Sequence, residues 1–152
     1  MKIETVRYIN FFSIALEKIF KELFGIEIKK VGSYILKGNN NLKDITSVMK
    51  LTGDLHGVIL ISFTEATLSH LYLKLIGAKH DDKSGIEDTS NEILNIVAGQ
   101  TKNLIAINYN KLIKLHQPKI LIDNIGKPVM INENLINNLE PFIYGAYLVE
   151  RE

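Results

Sequence analysis

Residues 86–109 repeat apolar side chains at helical spacing over many turns, and a helix that long must bury one face against an extended apolar surface. With Glu92 at zero on a helical wheel and ~100° per residue, Ile93, Val97 and Leu104 fall near ~100–140°. Leu94, Ala98 and Ile105 fall near ~200–240°, which completes one broad apolar face. Asp88, Asn95, Gly99 and Asn103 all lie within ~60° of Glu92 on the opposite side, and Ile96 sits at ~40°, on the edge of that stripe. The element therefore demands a sheet beneath it and leaves a defined face open.

The rest of the chain supplies that sheet. Residues 7–24 place Ile9, Phe12, Leu16, Ile19, Phe20 and Leu23 on one side of a helix, with Lys18, Lys21 and Glu22 opposite and Gly25 at the stop position. The mixed sign of that polar face favours packing on a core over lying on a membrane. Ile26-Glu27-Ile28-Lys29 alternates apolar and polar, and Ser33-Tyr34-Ile35-Leu36 is a second short extended run. Residues 44–52 and 57–63 read as a hairpin joined by Gly53-Asp54-Leu55-His56. Val58-Ile59-Leu60-Ile61 is apolar throughout, which predicts a central strand. Thr64 caps a helix over residues 65–76, with Leu68, Leu71, Tyr72 and Leu75 at helical spacing and Gly77 ending it. A polar turn, His80 to Gly85, leads into the long helix. Residues 111–122 read as a strand interrupted at Pro118, and residues 128–131 and 142–149 as closing strands. The fold class predicted is α+β, a mostly antiparallel β-sheet with helices packed on one face.

Composition narrows the function. Hydrophobic residues at 46% and charged residues at 23% suit one packed domain over residues 1–152, and no linker divides it. The net charge of +1 comes from scattered lysines, which is not the clustered patch of a nucleic-acid binder. No apolar run approaches the ~20 residues of a membrane span. Met1-Lys2-Ile3-Glu4 lacks a signal peptide's apolar region, and cysteine is absent, so a cytoplasmic setting is expected. Of His56, His70, His80 and His116, no two have the i, i+4 spacing of a helical ligand pair, and HExxH is missing, so no metal site is expected. Glycine-rich phosphate loops and a GxSxG elbow are missing too.

Three choices on the stripe of the long helix are odd for a solvated face. Asn95 is a poor mid-helix residue because its amide competes with the backbone. Gly99 costs roughly 1 kcal/mol against alanine. Ile96 exposes an apolar group where lysine or glutamate would serve. Singly these are ordinary imperfections; together on one face they point to a partner. Gly99 would admit the partner's backbone, Ile96 would give an apolar contact, and Glu92 and Asn95 would supply chemistry.

The run Asn91-Glu92-Ile93-Leu94-Asn95-Ile96-Val97-Ala98-Gly99-Gln100 resembles the active-site helix of the CheC/CheX/FliY phosphatases. The family pattern is Asp or Ser, three residues, Glu, two residues, Asn, then twenty-two residues to a Pro; Asp88, Glu92, Asn95 and Pro118 satisfy it. Thr52-Gly53-Asp54-Leu55-His56-Gly57 with the following strand, and Leu73-Lys74-Leu75-Ile76-Gly77, look like the family's hairpin and sheet-packing helix. The motif occurs once, since Glu17 is followed by Phe20 and Glu22 by Gly25 where CheC-like members have a second site. The single site is similar to CheX.

That resemblance implies a phosphatase acting on the aspartyl phosphate of a CheY-like response regulator in chemotaxis or a related two-component pathway. It implies that Asn95 orients the attacking water and that Glu92 pairs with the receiver's active-site lysine. Glu92 as general base is the less favoured alternative, because an exposed carboxylate is a weak base. No cofactor of the chain's own is implied; the Mg²⁺ belongs to the receiver. Asp88, Ile96, Gly99 and Asn103 are the expected partner contacts, with Asp88 equally suited to capping the helix start or favouring its dipole. Pro118 is expected to shape the sheet edge beneath the site. A homodimer joined through sheet edges is implied as well. The alternative from another class is a non-catalytic receiver-binding or flagellar-switch module of the same fold.

Overall fold

Alternation in one strand and an unbroken apolar run in the next build the centre of the sheet. A computed structural model describes residues 3–28, 40–41, 43–76, 83–121, 130–131 and 143–149 of the chain, with side chains over 7–28, 43–76 and 84–121. In chain order the elements are α1 (Ile3–Phe24), β1 (Asn40–Asn41), β2 (Ile45–Gly53), β3 (Gly57–Phe63), α2 (Glu65–Ile76), α3 (Lys83–Tyr109), β4 (Ile113–Leu115), β5 (Lys119–Ile120), β6 (Met130–Ile131) and β7 (Ile143–Val149). The main sheet runs β4-β2-β3-β7, with β5 also on β2, and β1 pairs with β6 separately. All pairings are antiparallel except β3 with β7, which is parallel. The α+β architecture holds, and β3 is central, as its apolar run requires.

The register puts all three helices on one face. Ile45, Met49 and Leu51 of β2 and Ile59, Ile61 and Phe63 of β3 share a single core cluster with the buried side chains of α1, α2 and α3. From α1 come Tyr8, Phe12, Ala15, Leu16, Ile19, Phe20 and Phe24. Each large apolar side chain so buried contributes about 1.5–3 kcal/mol relative to exposure. On the other face Thr46 and Ser62, directly opposite in the register, join hydroxyls at 2.7 Å, and Ser62 also accepts from the Lys43 amide at 2.7 Å.

The helix ends are made by local chemistry. At the end of α1, Gly25 adopts φ +65°, and its amide and that of Ile26 donate to Lys21 O and Phe20 O. Thr64 caps α2 by accepting from the Thr67 amide at 3.2 Å, and the Asp44 carboxylate accepts from the Glu65 amide at 2.8 Å. Asn110 terminates α3 at φ 52°, its amide donating to Ala106 O. Two apolar assignments shift. Leu23 and Leu75 are exposed; Phe24 takes the core position beside the Gly25 stop, and the core side of α2 is carried by Leu68, Leu71 and Tyr72.

The polar turn expected at 80–85 also differs in part, for α3 already begins at Lys83. The extended run at 33–36, the stop at Gly77 and His80 lie outside the described residues. Among the described residues, no helix is long and apolar enough to cross a membrane.

The tip of the β2–β3 hairpin grips the connection from α3 to β4. Asp54 N–H donates to Leu112 O at 2.9 Å, and Leu112 N–H donates to Asp54 Oδ2 at 2.8 Å. Gly53 has φ +96°, and a Cβ there would stand 2.6 Å from Leu112 O. Strain and collision therefore coincide, so Gly53→Ala should lower unfolding stability by about 1–3 kcal/mol in a denaturant titration.

Candidate active site

Every buried α3 side chain falls at three- or four-residue steps. Ile86, Thr89, Ser90, Ile93, Leu94, Val97, Ala98, Thr101 and Ile105 form the inward face. Asp88, Glu92, Asn95 and Asn103 are all exposed on the opposite face. Glu92 and Asn95, three residues apart, thus project together, with Cβ atoms about 5–6 Å apart by helix geometry. The stripe from Asp88 to Asn103 extends about 22 Å along the axis.

Four side chains of α3 depart from the sequence reading. The helix starts at Lys83, earlier than residue 86, so Asp88 stands in the second turn and does not cap it. Ile96 is half-buried and packs against the core cluster, because it lies at the margin where the stripe meets the sheet. It is not the free apolar contact expected. Leu104 is only half-buried as well. The strongly exposed apolar residue is instead Ile107, one turn past Asn103 and 80% exposed. Its place at ~60° on the same wheel, outside the ~100–240° apolar face, made that exposure readable from sequence.

Pro118 lies between β4 and β5, both of which pair with β2. His116 N–H reaches Lys50 O and Leu121 N–H reaches Thr46 O, so the edge resumes on either side of the break at Gln117-Pro118. The Thr52 hydroxyl and His116 Nε2 lie 2.8 Å apart on this edge. No group of three or more His, Cys, Asp or Glu side chains that could hold a metal ion occurs among the described residues.

Glycines distinguish packing from function. Gly25 and Gly53 have positive φ, and a Cβ on Gly85 would stand 2.6 Å from the Tyr72 hydroxyl oxygen and 2.7–2.9 Å from its ring carbons. Gly99 has neither reason, for a Cβ there would meet nothing within 4 Å among the described residues. The chain keeps a helix-weakening residue mid-helix with open space beside it. Gly99→Ala should accordingly raise the stability of the isolated protein by about 0.5–1 kcal/mol, whereas Gly85→Ala should lower it by about 1–3 kcal/mol; thermal melts of the two check both signs.

The family model for "Chemotaxis phosphatase CheX" matches residues 45–127, more than half of the chain, and includes Asp88, Glu92, Asn95 and Pro118. No match is found among curated protein sequences. Solved structures share the fold. A CheC-like superfamily protein from Shewanella sp. PV-4 is 24% identical with TM-score 0.72, over 86% of this chain and 82% of that one. The chemotaxis protein CheX from Desulfovibrio desulfuricans is 20% identical with TM-score 0.72, over 83% and 82%. The CheX of a CheX–CheY–BeF3–Mg²⁺ complex from Borrelia burgdorferi is 20% identical with TM-score 0.60, over 78% and 79%. With that family model matching more than half of the chain, and Asp88, Glu92 and Asn95 of the matched stretch exposed on α3, the chain belongs to the CheX family of chemotaxis phosphatases.

Proposed function

We propose that this protein accelerates hydrolysis of the aspartyl phosphate on a CheY-like response regulator, with Asn95 and Glu92 as the working pair. The observation that carries the reading is their joint exposure on one face of α3, beside a glycine whose Cβ would meet no described residue. The CheX–CheY complex among the structural neighbours supports the choice of partner.

An aspartyl phosphate is a mixed anhydride that already tends to hydrolyse, and its receiver holds the Mg²⁺ that offsets charge on the phosphoryl oxygens. What the helper must add is position. The Asn95 carboxamide offers both a donor and an acceptor and does not titrate, so it can hold a water in line with phosphorus. Attack forms the new P–O bond as the bond to the aspartyl oxygen breaks. Inorganic phosphate leaves, the receiver's carboxylate is restored, and the water's proton passes to solvent. Glu92 pairs with the receiver's active-site lysine and docks the helix. Asp88, Gly99 and Asn103 line the approach, and Ile96 contributes from its margin.

The cytoplasm is the matching compartment, since two-component receivers act there. We also propose a homodimer through sheet edges. The described sheet ends in β4–β5 on one side and β7 on the other, and a terminal strand's unpaired N–H and C=O groups can continue into a second copy. Light scattering after size exclusion should give twice the chain mass of 17.2 kDa, and a monomer would count against it.

The decisive assay follows the decay of a phosphorylated CheY-type receiver with and without the protein. Wild type should shorten its lifetime, and Asn95→Ala should remove roughly 10²–10³-fold of that acceleration while still binding a beryllofluoride-loaded receiver. Binding without acceleration by wild type would make the protein a non-catalytic receiver-binding module.

A further inference from the structure

The inward face of β2 reads Ile45, Ser47, Met49 and Leu51, so one hydroxyl interrupts an apolar row at the middle of the sheet. Ser47 is fully buried between Ile61 of β3 and Ile120 of β5 in the register. A valine would satisfy packing there, and burying an unpaired hydroxyl would cost about 1–3 kcal/mol. α3 carries a matching oddity, since Ser90 is fully buried on its apolar face.

These groups meet. Ser47 Oγ lies 2.6 Å from Ser90 Oγ and 2.7 Å from Asn91 Oδ1. A carboxamide oxygen only accepts, so Ser47 spends its one proton on Asn91, and the Ser90 hydroxyl donates to Ser47. The two buried threonines of α3 behave differently. Thr89 and Thr101 donate to Gly85 O and Val97 O within their own helix and say nothing about where the helix sits on the sheet.

We propose that Ser47 and Ser90, through Asn91, are positioning residues for the Glu92–Asn95 pair. The inference rests on the proposed phosphatase reading and adds the device that aims it. Apolar burial is non-directional, whereas hydrogen bonds are directional. Two hydroxyls and an amide tie one turn of α3 to one residue of β2, immediately before Glu92 and one turn before Asn95. A rotation of ~10° swings a side-chain head ~6 Å from the axis by ~1 Å. A displacement of that size costs up to roughly 10²-fold when a water must be held in line.

The test compares Ser47→Ala, Ser47→Cys and the combined Ser47→Ala/Ser90→Ala/Asn91→Leu variant, which replaces all polar partners with apolar ones of similar volume. Measured for each are the thermal midpoint, the kcat and KM for phosphorylated receiver, and amide hydrogen exchange over residues 91–99. The single variants should lower kcat by roughly 10–100-fold with KM changed by less than about threefold. The combined variant should regain the wild-type midpoint, because no buried group is left unpaired, yet keep the low kcat and the faster exchange. Recovery of kcat along with the midpoint would overturn the proposal, since the hydroxyls would then serve packing alone. The cysteine variant is slightly larger but keeps a weak S–H donor, so with Ser47→Ala it reports even if the combined variant does not fold. Should wild type fail to accelerate decay, the phosphatase reading falls. The exchange measurement then decides this one: faster exchange at 91–99 with the midpoint restored sustains it, and unchanged protection ends it.

Discussion

The seating of α3 on β2 and β3 is the contact on which the rest of the molecule depends. Ile93, Leu94 and Val97 are at most 1% exposed on the sheet side of that helix, and α1 packs along it with Tyr8 and Phe11 against Tyr109. Arg7 extends the same seam by donating to the Tyr109 hydroxyl at 3.1 Å. With the sheet below and α1 and α2 alongside, one sector of α3 remains uncovered. Glu92 and Asn95 stand in that sector because the core claims the others.

Both ends of α3 are fixed by contacts that tolerate little change of shape. At the start, Tyr72 of α2 lies against Gly85, where only a hydrogen fits. At the end, Asn110 turns the chain at positive φ and delivers Leu112 to its paired bonds with Asp54. The hairpin tip therefore does two jobs, reversing the chain and anchoring the end of the long helix. Between these anchors, energy and aim are divided. Apolar side chains supply most of the stabilisation, while Ser47, Ser90 and Asn91 supply direction.

On the proposed reading, the division of chemistry between two proteins explains why this site has so few parts. A helix surface is convex and suits insertion toward a recessed phosphoryl group more than enclosure of a small molecule. A carboxylate, a carboxamide and an open glycine are enough when metal and phosphate arrive with the partner. Gly99 is the clearest sign of that arrangement, since no described residue lies within 4 Å of where its Cβ would stand.

Periodicity determined the elements and which face of α3 is free, because burial follows side-chain spacing along a helix. It identified the central strand, the Thr64 cap, the break at Pro118 and the exposed pair Glu92 and Asn95. The family pattern was legible for a similar reason, as chemistry on one helix is local in sequence. Tertiary structure alone decided the rest. It buried half of Ile96, left Leu23 and Leu75 outside the core, and carried α3 back to Lys83, which took from Asp88 any part in capping. It turned Asp54 from a turn residue into an anchor and joined Ser47 to Ser90 and Asn91 across more than forty residues. These outcomes depend on which strand lies under which turn of helix, and spacing along the chain carries no record of that register.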